Sequence, residues 1–154
     1  MEAFAANRTA IEREPLPPNV GAILDQAVAR YDERPFWVSV DDGVTLSYRQ
    51  FAQRVEQCSQ ALAGFGVERG THVAVMLPNI PAFAITWIAL ARLAAVMIPI
   101  NTRFTSRELE YVLSQSAAEI LVIDREYWET LQGIEAATVS VPRSRTIVHG
   151  GLAR

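Results

Sequence analysis

Lysine is absent from this sequence of 154 residues, and all 14 of its basic residues are arginine. Any reaction that needs a lysine side chain must therefore draw it from another segment or another chain. This absence excludes a complete P-loop, a Schiff-base enzyme and a phospho-receiver site with its usual lysine. G-x-G-x-x-G, G-x-S-x-G and H-E-x-x-H motifs are also missing. We therefore predict no catalytic residue within this stretch.

Cysteine is nearly absent too, since Cys58 is the single one. One cysteine excludes an internal disulfide framework and is typical of a reducing compartment. The two histidines, His72 and His149, have no cysteine or carboxylate near them at metal-ligand spacing. The sequence therefore predicts no metal site.

Strong charge of either sign is also lacking, because the net charge is −3. This balance gives no reason to expect nucleic acid or an anionic membrane as a partner. The first residues carry Glu and Arg where a signal peptide would need an apolar run. The uncharged stretch 73–91 is broken by Pro78, Asn79 and Pro81, so its pieces are too short to span a bilayer. We therefore predict no transmembrane segment and a cytoplasmic location.

Half of the residues in the chain are hydrophobic, and their pattern along the sequence predicts a folded α/β domain. After a leader over residues 1–18, Asn19 is placed to cap a helix. A hairpin follows, with strands at Phe36–Val40 and Val44–Leu46 around the turn "DDG" (41–43). The pair Ser47 and Gln50 then forms a capping box for a second helix, which glycines at 64 and 66 end.

From Gly70 onward, apolar strands alternate with helices. The pattern predicts strands at His72–Leu77, Val96–Ile100 and Glu119–Ile123, a weaker strand at Thr138–Val141, and helices at Pro81–Leu93, Ser106–Gln115 and Arg125–Gln132. Buried strands linked by helices indicate a three-layer α/β fold, with a mostly parallel sheet flanked by helices. We predict this domain over residues 19–142. Residues 143–154 lack periodicity and are predicted to be a tail or the start of a missing segment.

Polar residues follow three of the predicted strands, at the edge where ligands bind open parallel sheets. Asn79 and Asp124 each have a simpler explanation as a helix cap, and Asn101 as a residue that closes a turn. Arg103 precedes a helix N-terminus, where the helix dipole disfavours a cation. It is either a solvated surface side chain or a ligand for phosphate or carboxylate oxygens, which suit the guanidinium group.

Three stretches, in order, resemble the start of the adenylate-forming (AMP-binding) enzymes. "TLSYRQF" (45–51) resembles the family's "ltYreL" signature, and "GVERGTHVAVMLPNIPAF" (66–83) resembles "Gv.kGD.Vai.lpN.pef". "LARLAAVMIPINTRFTSRELEYVLSQSAAEILVID" (90–124) resembles "ilkaGav.vPlnprlt..El.yil.dsga..li". The match is nearest to the acyl-CoA synthetase and aryl-CoA ligase branch. Two positions depart from the pattern, because Ala94 replaces the usual glycine and Thr71 the usual aspartate.

The resemblance implies the N-terminal portion of an ATP-dependent acyl-CoA ligase of fatty or aromatic acid metabolism. Such an enzyme forms an acyl-adenylate from a carboxylic acid and Mg-ATP, and CoA then displaces AMP to give a thioester. The phosphate loop and the catalytic lysine of the family are missing here. This chain is therefore expected to be inactive alone, and to bind ATP, Mg or CoA at most weakly.

Within this resemblance, the arginine of the family's N-x-R segment reaches the phosphates of CoA. Carried onto this chain, that arginine is Arg103, with Asn101 in the same segment. The alternative hypothesis is a stand-alone truncated relative that associates with itself or with a partner. Because a cut through a larger sheet domain exposes apolar surface, we also predict self-association, as a dimer.

Overall fold

The computed structural model describes residues 12, 15–40, 43–135 and 138–151. Two of the DDG turn residues, Asp41 and Asp42, and most of the predicted leader lie outside this description. The helices are α1 (Val20–Tyr31), α2 (Tyr48–Gly64), α3 (Pro81–Arg92), α4 (Ser106–Gln115) and α5 (Trp128–Gln132). The strands are β1 (Pro35–Val38), β2 (Thr45–Ser47), β3 (His72–Met76), β4 (Val96–Pro99), β5 (Ile120–Asp124) and β6 (Thr146–His149).

A four-stranded parallel sheet in the order β4-β3-β5-β6 forms the centre of the fold. Alternate residues of its strands enter two separate apolar cores. Val73 and Val75 pack with α1, α2 and α3 on one face, whereas Ala74 and Met76 pack with α4 and α5 on the other. The predicted three-layer α/β fold, with a parallel sheet between helices, is confirmed.

Local capping decides where three of the helices begin. The Asn19 side chain accepts a hydrogen bond from the backbone N–H of Ala22 at 2.9 Å, as predicted. Ser47 with Gln50 and Thr105 with Glu108 form complete capping boxes at the starts of α2 and α4. Each box satisfies backbone donors that the first helical turn leaves free. The helix boundaries therefore follow from residues only a few positions apart.

The hairpin forms by antiparallel pairing of β1 with β2, in which Trp37 lies opposite Leu46. An irregularity in the pairing separates Pro35 from Trp37. The predicted hairpin is confirmed, although its first strand ends at Val38 rather than Val40. Its aromatic side chains pack onto α2, and this joins the hairpin to the larger of the two cores.

The prediction was wrong near the carboxyl end of the chain. No strand forms at Thr138–Val141, although Val141 is buried, and a strand forms instead at Thr146–His149. This strand lies within residues 143–154, a stretch predicted to be a tail or the start of a missing segment, in which the sequence shows no periodicity. A run of four residues has little periodicity of its own, and β5 supplies its pairing, from Leu121 opposite Thr146 to Asp124 opposite His149. The predicted helix 125–132 is also divided, into a 3-10 turn at Arg125–Tyr127 followed by α5.

The two departures from the family pattern have different structural consequences. Thr71 stabilises a turn, because its hydroxyl accepts a hydrogen bond from the backbone N–H of Glu68 at 3.0 Å. Ala94 has a φ of 53° just after α3. An L-residue with a Cβ is strained in this left-handed conformation, and glycine is not.

Changing Ala94 to glycine is therefore expected to stabilise the protein. The relieved strain is about 1–2 kcal/mol, and the added freedom of glycine in the unfolded chain offsets about 0.4–1 kcal/mol of it. We expect the free energy of unfolding to rise by about 0.5–1 kcal/mol, measured by urea denaturation. Ala29→Gly, at an exposed right-handed position of α1, is the control and should lower it by a similar amount. A loss of stability in Ala94→Gly would contradict the strain argument.

Candidate functional site

The carboxyl ends of the four parallel strands meet at one edge of the sheet, and this polar edge is the candidate site. The segment Asn101–Arg103 follows β4, at one side of the sheet. Asn79 follows β3 in the middle, and Asp124 ends β5. The structure adds His149 at the end of β6, which the sequence did not indicate as a site residue.

Asn101 closes a tight turn after β4. Its side-chain oxygen accepts a hydrogen bond from the backbone N–H of Arg103 at 3.0 Å, and its carbonyl accepts one from Phe104 at 3.1 Å. The turn-closing alternative for Asn101 is therefore confirmed. Its consequence is to hold the backbone of Arg103 in a defined position ahead of α4.

Arg103 is exposed at the start of the loop that leads into α4. Within the part of the chain that the structure describes, no carboxylate forms an ion pair with its guanidinium group. By contrast, Arg49 pairs with Asp32 and Glu33. Among the described residues, the Arg103 charge therefore forms no ion pair that would stabilise the fold, and the guanidinium group is available to bind an anionic ligand.

The capping prediction for Asn79 was wrong. Helix α3 begins at Pro81, so the capping position falls on Ile80, which has no side chain able to accept the hydrogen bond. Asn79 lies one residue too early and is exposed. Proline at the first helical position removes one of the free N–H donors, and this reduces the need for a polar cap.

Asp124 and His149 form a hydrogen-bonded pair across β5 and β6. The two residues are in register, and Asp124 Oδ2 lies 2.8 Å from His149 Nδ1. Asp124 also caps the following 3-10 turn, as predicted, by accepting a hydrogen bond from the N–H of Glu126. Partial burial raises the pKa of Asp124, but the Glu126 amide and the His149 ring outweigh it and hold that pKa below its ordinary value. Asp124 is therefore ionised at neutral pH.

An open apolar groove of about 900 Å³ lies beside β6, on the sheet face that carries α2 and α3. We call this feature the β6 groove. Leu62 of α2, Ile85 of α3, Val122 of β5 and Ile147 of β6 all line it. His149, the last residue of β6, also lines it, so the groove reaches the carboxyl edge of the sheet.

Neither metal ligands nor a membrane-crossing helix are found in the described residues. No group of three or more His, Cys, Asp or Glu side chains there could hold a metal ion. Among the described helices, none is long and apolar enough to cross a bilayer. The candidate site therefore consists of exposed polar groups at the sheet edge, next to an apolar groove.

Comparison with known proteins agrees with the ordered motifs. The family model described as "AMP-binding enzyme" matches residues 24–152. A long-chain-fatty-acid–CoA ligase of Escherichia coli O6:H1 is 29% identical over 113 residues, which are 73% of this chain and 20% of that protein. The ligase FadD13 of Mycobacterium tuberculosis is 29% identical over 104 residues, 68% of this chain and 21% of its own length.

A solved structure shows the same fold within a longer chain. The long-chain-fatty-acid-CoA ligase FadD1 of Archaeoglobus fulgidus superimposes with a TM-score of 0.82 at 25% identity, over 90% of this chain and 29% of that one. This chain spans about a fifth of the length of the curated relatives it matches. Since the family model covers most of the sequence and the fold agrees, this chain belongs to the AMP-binding enzyme family.

Proposed function

We propose that this chain is the N-terminal portion of an ATP-dependent carboxylate–CoA ligase. The complete protein activates a carboxylic acid as its adenylate and then transfers the acyl group to the thiol of CoA. The observation that carries the proposal is the family match over residues 24–152, which includes all three ordered motifs. The names of the matched relatives favour a fatty acid as the substrate.

In such a ligase, this stretch supplies only some of the residues that bind the reactants. Without a lysine, these 154 residues hold no cation of the kind the family uses at the reacting phosphate. We therefore assign the lysine contact to the reacting phosphate to residues outside this stretch, and we expect the chain alone to be inactive. Its own contribution is the parallel sheet and the loops at its carboxyl edge.

Within that edge, we assign Arg103 to the phosphates of CoA. The guanidinium group is exposed and carries no ion pair among the described residues, which fits a group that waits for an anionic ligand. Asn101 acts indirectly, because its side chain holds the Arg103 backbone amide. When bound, CoA supplies the thiol acceptor, and Arg103 would hold its phosphates without taking part in proton transfer.

The test is an assay of ligase activity on two proteins, the complete reading frame and the 154-residue chain. Thioester formation is measured by ATP-dependent loss of free CoA thiol, with palmitate and benzoate as separate acid substrates. We expect activity with the complete protein and none with the chain alone. If the complete protein neither exchanges pyrophosphate into ATP nor consumes CoA with any acid tried, the ligase proposal fails. The truncated self-associating or partner-binding relative is then the better hypothesis.

A further inference from the structure

Arg103 lies in a short loop between β4 and α4 that is anchored on both sides. On the strand side, Ile100 is buried and its N–H donates a hydrogen bond to the carbonyl of Val75 at 2.9 Å. On the helix side, Phe104 packs against the core that contains α4 and α5. The backbone of Arg103 is therefore held between two fixed neighbours, while its guanidinium group is exposed.

The capping box of α4 closes the helix side of this loop. One carboxylate oxygen of Glu108, Oε2, accepts hydrogen bonds from both the backbone N–H and the hydroxyl of Thr105, each at 2.8 Å. In return, the N–H of Glu108 donates to the Thr105 hydroxyl at 3.4 Å. Thr105 is only two residues beyond Arg103, so Glu108 joins the loop to the first turn of the helix.

The same hydrogen bonds engage a carboxylate that is close to Arg103 in sequence. The Thr105 amide, followed by the Thr105 hydroxyl, lowers the pKa of Glu108, so this side chain is ionised at neutral pH. No ion pair joins Glu108 to Arg103 in the described part of the chain. The box thus orders the loop and leaves the guanidinium group without a carboxylate partner.

We propose that Glu108 is a positioning residue for CoA: through its capping box with Thr105, it holds the loop in the shape that presents the Arg103 guanidinium group to a phosphate. The inference rests on the proposed function, which assigns Arg103 to CoA. A loop that is ordered before binding loses less conformational entropy when its ligand arrives. Loss of the box therefore weakens CoA binding and leaves adenylate formation unaffected.

The capping box of α2 provides a matched control within the same chain. There the N–H of Ser47 donates to Gln50 Oε1 at 3.0 Å, and the N–H of Gln50 donates to the Ser47 hydroxyl at 3.2 Å. Helix α2 packs on the opposite face of the sheet from α4. Loss of either box should lower the free energy of unfolding to a similar extent. The α2 box also shows that glutamine can close such a box in this protein.

The experiment measures the KM for CoA and the rate of pyrophosphate exchange in three variants of the complete protein. Glu108→Ala should raise the KM for CoA about three- to tenfold and leave pyrophosphate exchange unchanged. Glu108→Gln should restore the KM, because its amide oxygen can accept the same hydrogen bond from Thr105. Gln50→Ala should leave the KM unchanged, although it also removes a helix cap.

A double substitution tests whether Glu108 acts through Arg103. In the Arg103→Ala background, adding Glu108→Ala should cause no further rise in the KM for CoA. An equal rise with and without Arg103 would overturn the proposal, as would an equal rise in Gln50→Ala. An unchanged KM in Glu108→Ala, alongside a raised KM in Arg103→Ala, would overturn the positioning role and leave the CoA assignment of Arg103 in place.

Hydrogen–deuterium exchange tests the same proposal without relying on activity. The Arg103 amide, which Asn101 accepts, should exchange faster in Glu108→Ala than in the unsubstituted complete protein, and at the original rate in Gln50→Ala. Unchanged exchange in Glu108→Ala would mean that the box does not order the loop, and would defeat the positioning role alone. Faster exchange in a complete protein that performs neither half-reaction would defeat the ligase proposal, while Glu108 would still order the loop.

Discussion

Replacing Arg103 with alanine in the complete protein is expected to raise the KM for CoA about ten- to a hundredfold while adenylate formation continues unchanged. A charge-assisted hydrogen bond contributes about 1.5–3 kcal/mol, and each 1.4 kcal/mol corresponds to about tenfold in affinity. The side chain is exposed and unpaired within the described residues, so its removal should not disturb the fold. Pyrophosphate exchange measures the first half-reaction, and CoA-dependent thioester formation measures the second.

Two further variants sharpen this prediction. Arg69→Ala removes another exposed arginine, just before β3 at the opposite end of the sheet, and should leave the KM for CoA unchanged. Arg103→Lys keeps the charge but not the planar fork of donors, and should give an intermediate KM. An unchanged KM for CoA in Arg103→Ala would remove this residue from the CoA site. An equal loss in both half-reactions would instead indicate a structural role.

The second large effect is expected from Phe51→Ala, which should lower the free energy of unfolding by about 3–5 kcal/mol. Phe51 is 1% exposed and lies in the larger core. Its ring centroid is 4.5 Å from that of Phe36 in the hairpin. Truncation would therefore leave a cavity between α2 and the hairpin. Urea denaturation of the 154-residue chain, followed by circular dichroism, measures the change.

A matched aromatic control is available in the same cluster. Phe36 contacts Phe51 and Tyr48 but is 41% exposed, so Phe36→Ala should cost clearly less than Phe51→Ala. Phe51→Leu keeps most of the buried volume and should cost less than half as much as the alanine variant. Equal losses at positions 36 and 51 would show that the hairpin contact, and not burial in the core, determines the stability.

Much of the fold could be predicted because its signals are local. The capping boxes at Ser47 and Thr105 each use a pair of residues three positions apart, and both are present in the structure. Strands β3 and β5 are continuous apolar runs between helices, which is typical of a buried parallel sheet. Where an element is short, as with β6, its own sequence is too weak and the neighbouring strand supplies the stability.

The candidate site was predictable only in part, for the same reason. Asn101, Arg103 and Asp124 could be placed at strand ends from the order of elements along the chain. His149 could not, because its pairing with Asp124 spans 25 residues and depends on the register of two strands. Asn79 was misassigned as a cap because α3 begins at Pro81, as predicted, so the capping position falls on Ile80 and Asn79 lies one residue before it.

The sequence by itself determined that this chain has an α/β fold with the AMP-binding motifs in order, and that it contains no lysine for catalysis. These properties depend on composition and on spacings of a few residues, which the chain carries whatever its final arrangement. Only the tertiary structure decided the strand order β4-β3-β5-β6, the Asp124–His149 pair and the open groove beside β6. Each of these requires segments far apart in sequence to meet, and long-range packing and strand register, rather than local preference, determine which segments do.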